Sequence, residues 1–276
     1  MALKRKKPTS PGVRAQVLIS RKHHTTTKPY KPLLTPLKGP KGRSKGTVSV
    51  RHQSRGAKKH YRIIDFLRDK KNIKAKVLTI EYDPNRNVDI SLVQYEDGEK
   101  RYILRPKGLK VGDMIIYAEK TSPKVGNAMP LKNIPTGIPI HNLELQPGAG
   151  GIMVRGAGTY ATILSKDSGY AFVKMPSGEV RKFLEDCYAT LGQLSNEAYK
   201  NTKIGKAGRS RHMGIRPAVR GVAMSSPRQH PHGGSYKTSG IGRPSPVSPT
   251  GVPSKGYKTR KRKHTDKYKV KDRRKK

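Results

Sequence analysis

Sixteen of the eighteen acidic residues in this 276-residue chain fall between residues 61 and 200. Residues 1–60 carry seventeen Lys or Arg and no acid. The central stretch carries twenty-one basic residues against its sixteen acids, and residues 201–276 carry twenty-two against Asp266 and Asp272 alone. Like charges at such density repel one another in a compact arrangement, so the near-balanced centre is the part able to collapse unaided. The flanks are rich in Pro, Gly, Ser and Thr and lack sustained hydrophobic periodicity. They bury too little apolar surface to offset the entropy of ordering, and are expected to take up structure on a partner.

A net charge of +42 requires that partner to be a polyanion, either nucleic acid or an anionic membrane. No apolar run approaches the roughly 20 residues a spanning helix needs, and the basic stretches lack the aromatic, leucine-rich face of an interfacial helix. The opening MALKRKKPTSPG has the charge of a secretion signal without the apolar segment that should follow it. A single cysteine, Cys187, excludes a disulfide scaffold and a thiolate metal cluster and fits a reducing compartment. Nucleic acid is the expected partner.

The centre reads as short strands punctuated by turn residues. Tyr61–Phe66, Ala75–Tyr82, Val88–Tyr95, Lys100–Arg105 and Met114–Tyr117 make five, separated by DPNRN, EDGE and PKGLKVGD. Five short antiparallel strands in this length suggest a small barrel of oligonucleotide-binding (OB) type. A second set, Ile140–Leu145, Gly151–Arg155, Thr159–Ser165, Tyr170–Met175 and Val180–Phe183, has hairpin turns at KDSG and PSGE and suggests a small SH3-like barrel. The expected organisation is a basic N-terminal extension over 1–60, an OB-type barrel over 61–130, an SH3-like barrel over 131–200 and a basic C-terminal extension over 201–276. One larger irregular β domain is the competing architecture.

Arg209, Arg211, Arg216 and Arg220 stand among glycines and small residues in a stretch with no acid between Glu197 and Asp266. Small neighbours let the backbone approach phosphates while planar guanidinium forks bind oxygens or stack on bases. Arg86, in the DPNRN turn, sits where such a barrel presents ligand loops. His230 and His232, in HPHGG, are three-way ambiguous between metal, catalysis and anchoring. A zinc site asks for three or four ligands, and only His212 and His264 could join the pair, while Arg220, Arg228, Lys237 and Arg243 repel a cation. A catalytic base asks for an orienting group, and no acid is at hand. No metal, cofactor, small-molecule substrate or enzymatic activity is therefore expected. The histidines read as nucleic-acid anchors on a loop whose Gly233 and Gly234 leave room for nucleotides. A free-standing nucleic-acid module built on the same barrels is the alternative, with a nuclease third.

The stretches EYDPNRN, KRYILRPKGLKVGD, MPLKNIPTG, IHNLELQPGAGG, RGAGTYAT, MPSGEVRKF, CYATLGQLSN, GKAGRSRHMGIRPAVRGVAM, HPHGG and KTRKRKHTDKY follow one another in an order that resembles the large-subunit ribosomal protein family called L-two, bacterial type. The resemblance covers essentially everything after Lys28. It implies an OB-type barrel followed by an SH3-like barrel with basic tails. It also implies a primary binder of large-subunit ribosomal RNA near the site of peptide-bond formation and at the subunit interface. The implied partners are that RNA, other ribosomal proteins and the small subunit, and the implied location is the ribosome of the cytoplasm or of an organelle. The RNA-binding set expected on these grounds is Arg51, His52, Arg55, Lys58, Lys59, Arg62, Arg86, Arg155, Lys206, Arg209, Arg211, Arg216, Arg220, His230, His232, Gly233, Gly234, Lys258, Arg260, Lys261 and Arg262. The chain departs from the family pattern at Arg55, where Gly is usual, at Ala57 in place of His, at His212 in place of Trp, and in the SSPRQ that precedes HPHGG.

Overall fold

The computed structural model describes residues 3–37, 41–234 and 245–274. It divides into two compact units, one made of Met1–Gly39, Lys58–Ala207 and Thr265–Lys276, the other of Pro40–Ala57 and Gly208–His264. The first unit is mainly β and contains both barrels, OB-like and SH3-like.

Lys74–Glu81 (β1), Ile90–Tyr95 (β2), Lys100–Leu104 (β3) and Met114–Ile116 (β4) form an antiparallel sheet in the order β4-β1-β2-β3. The acidic turn between β2 and β3 closes through Gly98, whose φ of 85° an L side chain rarely adopts. This sheet is buried on both faces, so β2 is buried at five of its six positions and its apolar residues do not alternate strictly. Ile90 and Leu92 join Tyr102, Leu104 and Leu194 on one side, while Val93 and Tyr95 join Ala75, Val77, Ile103 and Ile115 on the other. Each fully buried aliphatic side chain contributes about 1.5–3 kcal/mol.

The strand expected over Tyr61–Phe66 is shorter and pairs elsewhere. Only His60–Arg62 is extended, and it pairs antiparallel with Leu34–Pro36; Ile64 then makes a single bridge to Tyr102. Asp65 ends the run by accepting the Arg68 backbone N–H at 2.7 Å, with Arg68 at a φ of 54°. A side chain competing for backbone donors in this way favours a turn over a ladder.

The second sheet has seven antiparallel strands. In chain order they are Ala128–Pro130 (β5), Pro139–His141 (β6), Ala161–Asp167 (β9), Tyr170–Lys174 (β10), Val180–Leu184 (β11), Tyr188–Leu191 (β12) and Lys269–Lys271 (β13), while Leu143–Glu144 (β7) and Gly151–Met153 (β8) pair separately. The spatial order is β5-β12-β6-β9-β10-β11-β13. Its core gathers Leu131, Ile134, Ile140, Leu143, Ile163, Val173, Phe183, Cys187 and Leu191. Three of these strands were not anticipated. β5 ends on a proline and lies before residue 131, yet it pairs with β12. β13 belongs to the C-terminal stretch expected to be an extension, but Lys269 and Lys271 pair with β11. Glu179, Asp266 and Asp272 lie 3.8–4.0 Å from the Lys269 ammonium and make a basic strand tolerable there.

The N-terminal stretch, expected to gain structure only on a partner, is tied to this unit by polar contacts. Leu3–Arg5 pairs with Val17–Ile19, and Val17 exchanges backbone hydrogen bonds with Lys203. The Thr25 N–H donates to the Ile80 carbonyl at 3.0 Å, and the Tyr30 N–H donates to the Tyr102 hydroxyl at 2.7 Å. Low apolar content had suggested too little burial, but hydrogen bonds to groups already fixed by the barrel need little of it. Among the described residues no helix is long and apolar enough to cross a membrane.

Candidate nucleic-acid interface

The acids of the first unit are largely taken up internally. Arg101 pairs with Asp65, Asp69 and Glu99, Lys70 with Asp97 and Glu99, Lys107 with Glu197, and Lys132 with Glu119 and Asp186. The second unit has no acid to offer: its sequence holds eighteen Lys or Arg and no Asp or Glu. Among its described residues no hydrophobic side chain is buried, and Val48, Val50, Met213, Ile215, Val219, Val222 and Tyr257 are exposed. Backbone hydrogen bonds hold it together. The Ser54 N–H donates to Gly214, the Ala57 N–H to His212, the Arg216 N–H to His52, and Gln53 bridges Ile215.

Two departures from the family pattern meet in this unit, since Ala57 donates to the His212 carbonyl at 2.8 Å. Between Arg55 and Ala57, Gly56 has a φ of 66°, and a Cβ there would stand 2.4 Å from that same carbonyl. The close approach at this corner is between two segments of the chain itself. Arg51, Arg55, Lys58, Lys206, Arg211, Arg216, Arg220, Lys258, Arg260, Lys261 and Arg262 are exposed, while Lys59, Arg86 and Arg209 are half-buried. His52 is exposed at a φ of 61°. Arg62 differs from the rest: it is buried, with Nη1 donating to the His60 carbonyl at 2.9 Å. An extended HYR segment folds its arginine back along the chain, which removes Arg62 from the outward-facing set.

In the HPHGG loop the imidazoles are part of the local fold. The His232 N–H donates to His230 Nδ1 at 3.1 Å, and the Val247 N–H donates to His232 Nε2 at 2.9 Å. One ring nitrogen of each is thus an acceptor, and in the neutral form the proton sits on the other. The rings stack with centroids 5.5 Å apart. Gly233 is required by packing within the chain, because a Cβ would meet the Ser226 carbonyl at 2.5 Å, and Gly234 has a φ of 111°. Lys237 and Arg243, named above as repelling a cation, lie outside the described residues.

The structure also brings together a cluster that sequence reading missed. His23 Nε2 lies 2.7 Å from Asp89 Oδ2 and His24 Nε2 3.1 Å from Oδ1, with the Asn196 amide at 2.9 Å and the Arg105 guanidinium at 3.5 Å completing four donors around one buried carboxylate. Of these, His23, His24 and Asp89 have metal-ligand chemistry, and their ligand atoms lie within 4.8 Å of one another. Every acceptor position of Asp89 already faces a donor, so they are arranged as a hydrogen-bonded clasp for the N-terminal stretch. Burial works against the charged carboxyl, but hydrogen bonds from His24, His23 and Asn196 outweigh it and hold Asp89 below the usual carboxylate range.

Arg86 and Arg155, distant in sequence, converge on one concavity of about 360 Å³ lined also by Tyr61, Phe66, Asn85, Asn87 and Gly156. The Arg155 guanidinium lies 4.4 Å from the Phe66 ring centroid, and that of Arg86 lies 5.1 Å from Tyr61 and 5.5 Å from Phe66. Guanidinium planes backed by aromatic rings are chemistry suited to RNA. Residues 30–117 match the family described as Ribosomal Proteins L2, RNA binding N-terminal domain, and residues 124–251 match Ribosomal Proteins L2, C-terminal domain. The two matches take in both barrels and most of the acid-free unit, and that family is structural, not enzymatic. The chain therefore belongs to the ribosomal protein L2 family, with a structural, ribosomal-RNA-binding role in the large subunit.

Proposed function

We infer that this chain is a scaffold embedded in large-subunit RNA, supporting subunit assembly, association with the small subunit and the architecture of the peptidyl-transferase region, where the RNA carries the chemistry. It acts without catalysis of its own, on the ribosome of the cytoplasm or of an organelle. The observation that carries this reading is the acid-free unit, with eighteen basic residues and no buried hydrophobic side chain among those described. Such a unit repels itself when free and is neutralised when phosphates surround it. Its RNA contacts are assigned to Arg51, His52, Arg55, Arg209, Arg211, Arg216, Arg220, Lys258, Arg260, Lys261 and Arg262. Lys58, Lys59, Lys206, Arg86 and Arg155 supply those of the first unit. His230, His232, Gly233 and Gly234 shape the loop that enters the RNA.

The test is the affinity of the purified chain for deproteinised large-subunit RNA as a function of salt. About ten phosphate contacts would lower it by roughly three to five orders of magnitude between about 50 and 200 mM, taking the duplex slope as an upper guide. A flat salt profile, or a chain abundant outside the particle instead of present at one copy per large subunit, would overturn the reading.

A further inference from the structure

We propose that the concavity between Arg86 and Arg155 captures a single unpaired nucleobase of the RNA, stacked on the Arg155 guanidinium. The proposal rests on the RNA-binding reading above and specifies what this site takes from the RNA. Its basis is that the two arginines are electrostatically unlike. Arg86 directs Nη1 to the fully buried Asp83 carboxylate at 2.5 Å and Nη2 to the Tyr61 hydroxyl at 2.9 Å, so its charge is matched and its plane is fixed as a wall. Arg155 is exposed and makes no hydrogen bond or ion pair among the described residues; its one partner is the face of Phe66. A guanidinium lying over a ring on one side offers its other side as a flat, cationic stacking surface.

The backbone directly before Arg155 is strained. Val154 has a φ of 56°, a conformation that β-branched residues avoid, and it is held there by its side chain in the second core and by the Asn142 N–H donating to its carbonyl at 3.0 Å. Strain that persists because its surroundings dictate it is commonly found where a side chain must be aimed. Here it aims Arg155 at the concavity. Gly156, next in the chain, adds no side chain to the rim, and the Asn87 side-chain amide at the rim is exposed and makes no hydrogen bond among the described residues. That amide carries both a donor and an acceptor for a base edge. A phosphate alone would need neither the aromatic backing nor the amide. Bases within an A-form duplex cannot present their faces, so the ligand is a nucleotide splayed from a loop or bulge.

The test uses the full-length chain, deproteinised large-subunit RNA, and base-specific chemical probing of Watson–Crick edges. Arg155→Lys keeps the charge and removes the plane. The expected result is protection of one or a few unpaired bases by the unaltered protein. That protection should be lost alike in Arg155→Lys and Arg155→Gln, with affinity reduced roughly 5- to 150-fold. If Arg155→Lys retained the protection and the affinity while Arg155→Gln lost them, Arg155 would be a phosphate contact and base capture would be wrong. If the unaltered protein bound tightly without protecting any base that depends on Arg155, the proposal would fail while RNA binding stood. Absence of salt-dependent binding by the unaltered protein would instead remove both.

Discussion

At the scale of single residues, the histidines illustrate how one side-chain type serves two local purposes. His230 Nδ1 accepts the His232 N–H, so a substitute that retains an acceptor near that position should preserve the loop. His230→Gln is accordingly expected to be milder than His230→Ala in particle assembly, with any loss of peptide transfer following the assembly defect. Gly233→Val should be at least as harmful, since its Cβ would meet the Ser226 carbonyl at 2.5 Å. Equal loss of single-turnover transfer in the Gln and Ala variants of normally assembled particles, with the glycine variant unaffected, would point to catalysis. His23 and His24, by contrast, act through Asp89. Asp89→Ala leaves two imidazoles and the Arg105 guanidinium without their acceptor and should cost about 1–3 kcal/mol, lost locally. Hydrogen exchange at the Thr25 amide, which donates to Ile80, should accelerate in that variant while amides in β10 and β11 stay protected. Unchanged exchange at Thr25 would show that the clasp does not hold the N-terminal stretch. Because the Asp89 carboxyl lies below its usual range, its contribution is present above about pH 4 and is lost as the pH falls through the depressed value.

At the scale of elements, β6 carries a titration that the whole second sheet should report. His141 is completely buried, and that burial pushes its pKa down to about 4, with Nδ1–H donating to the Gly192 carbonyl at 2.8 Å. A neutral folded imidazole competes with an unfolded chain that protonates near pH 6.5, so stability is full above about 6.5 and declines toward pH 4. The loss is about 3 kcal/mol over that window. Urea midpoints measured across it should fall steeply in the unaltered protein and less in His141→Gln; parallel slopes would refute the assignment. Cys187, with its thiol pushed up to about 12 by burial, should react with alkylating reagents only as the sheet opens, which gives a second reading of the same event. Strands bounded by KDSG, PSGE and EDGE were legible in the sequence because the turn chemistry sits beside them. β13 was not, because KVK in a basic run becomes a strand only through pairing with β11, and of the acids around Lys269 the nearby Asp266 and Asp272 are joined by Glu179, which is distant in sequence. The site divides the same way. The exposed arginines of the acid-free stretch could be read from missing acids, whereas the convergence of Arg86 with Arg155 and of His23 with Asp89 depends on tertiary structure. Arg62 is turned inward, which composition cannot tell from an outward-facing arginine.

At the scale of the molecule, the division of labour does not follow the chain's linear order. The acid-free unit is assembled from Pro40–Ala57 and Gly208–His264, while Thr265–Lys276 returns to the first unit through β13. A cut at residue 200 would therefore remove a strand from the second sheet as well as the RNA-binding stretch, and the two effects would be confounded. Replacing residues 208–264 by a flexible Gly/Ser linker long enough to keep Thr265–Lys276 in place separates them. The first unit keeps its three hydrophobic clusters, none of which draws on the replaced residues, so its thermal midpoint should stay within a few degrees of the parent. Affinity for large-subunit RNA should drop sharply and its dependence on salt should flatten, because thirteen Lys or Arg leave with the replaced segment. Truncation after His264 should do the reverse. It removes β13 and exposes the β11 edge, lowering the stability of the second sheet, while the acid-free unit and most of the salt slope remain. Finding that the linker variant binds RNA with the parental salt slope would mean that the first unit, not the acid-free one, makes most of the phosphate contacts, and the charge segregation in the sequence would need another explanation.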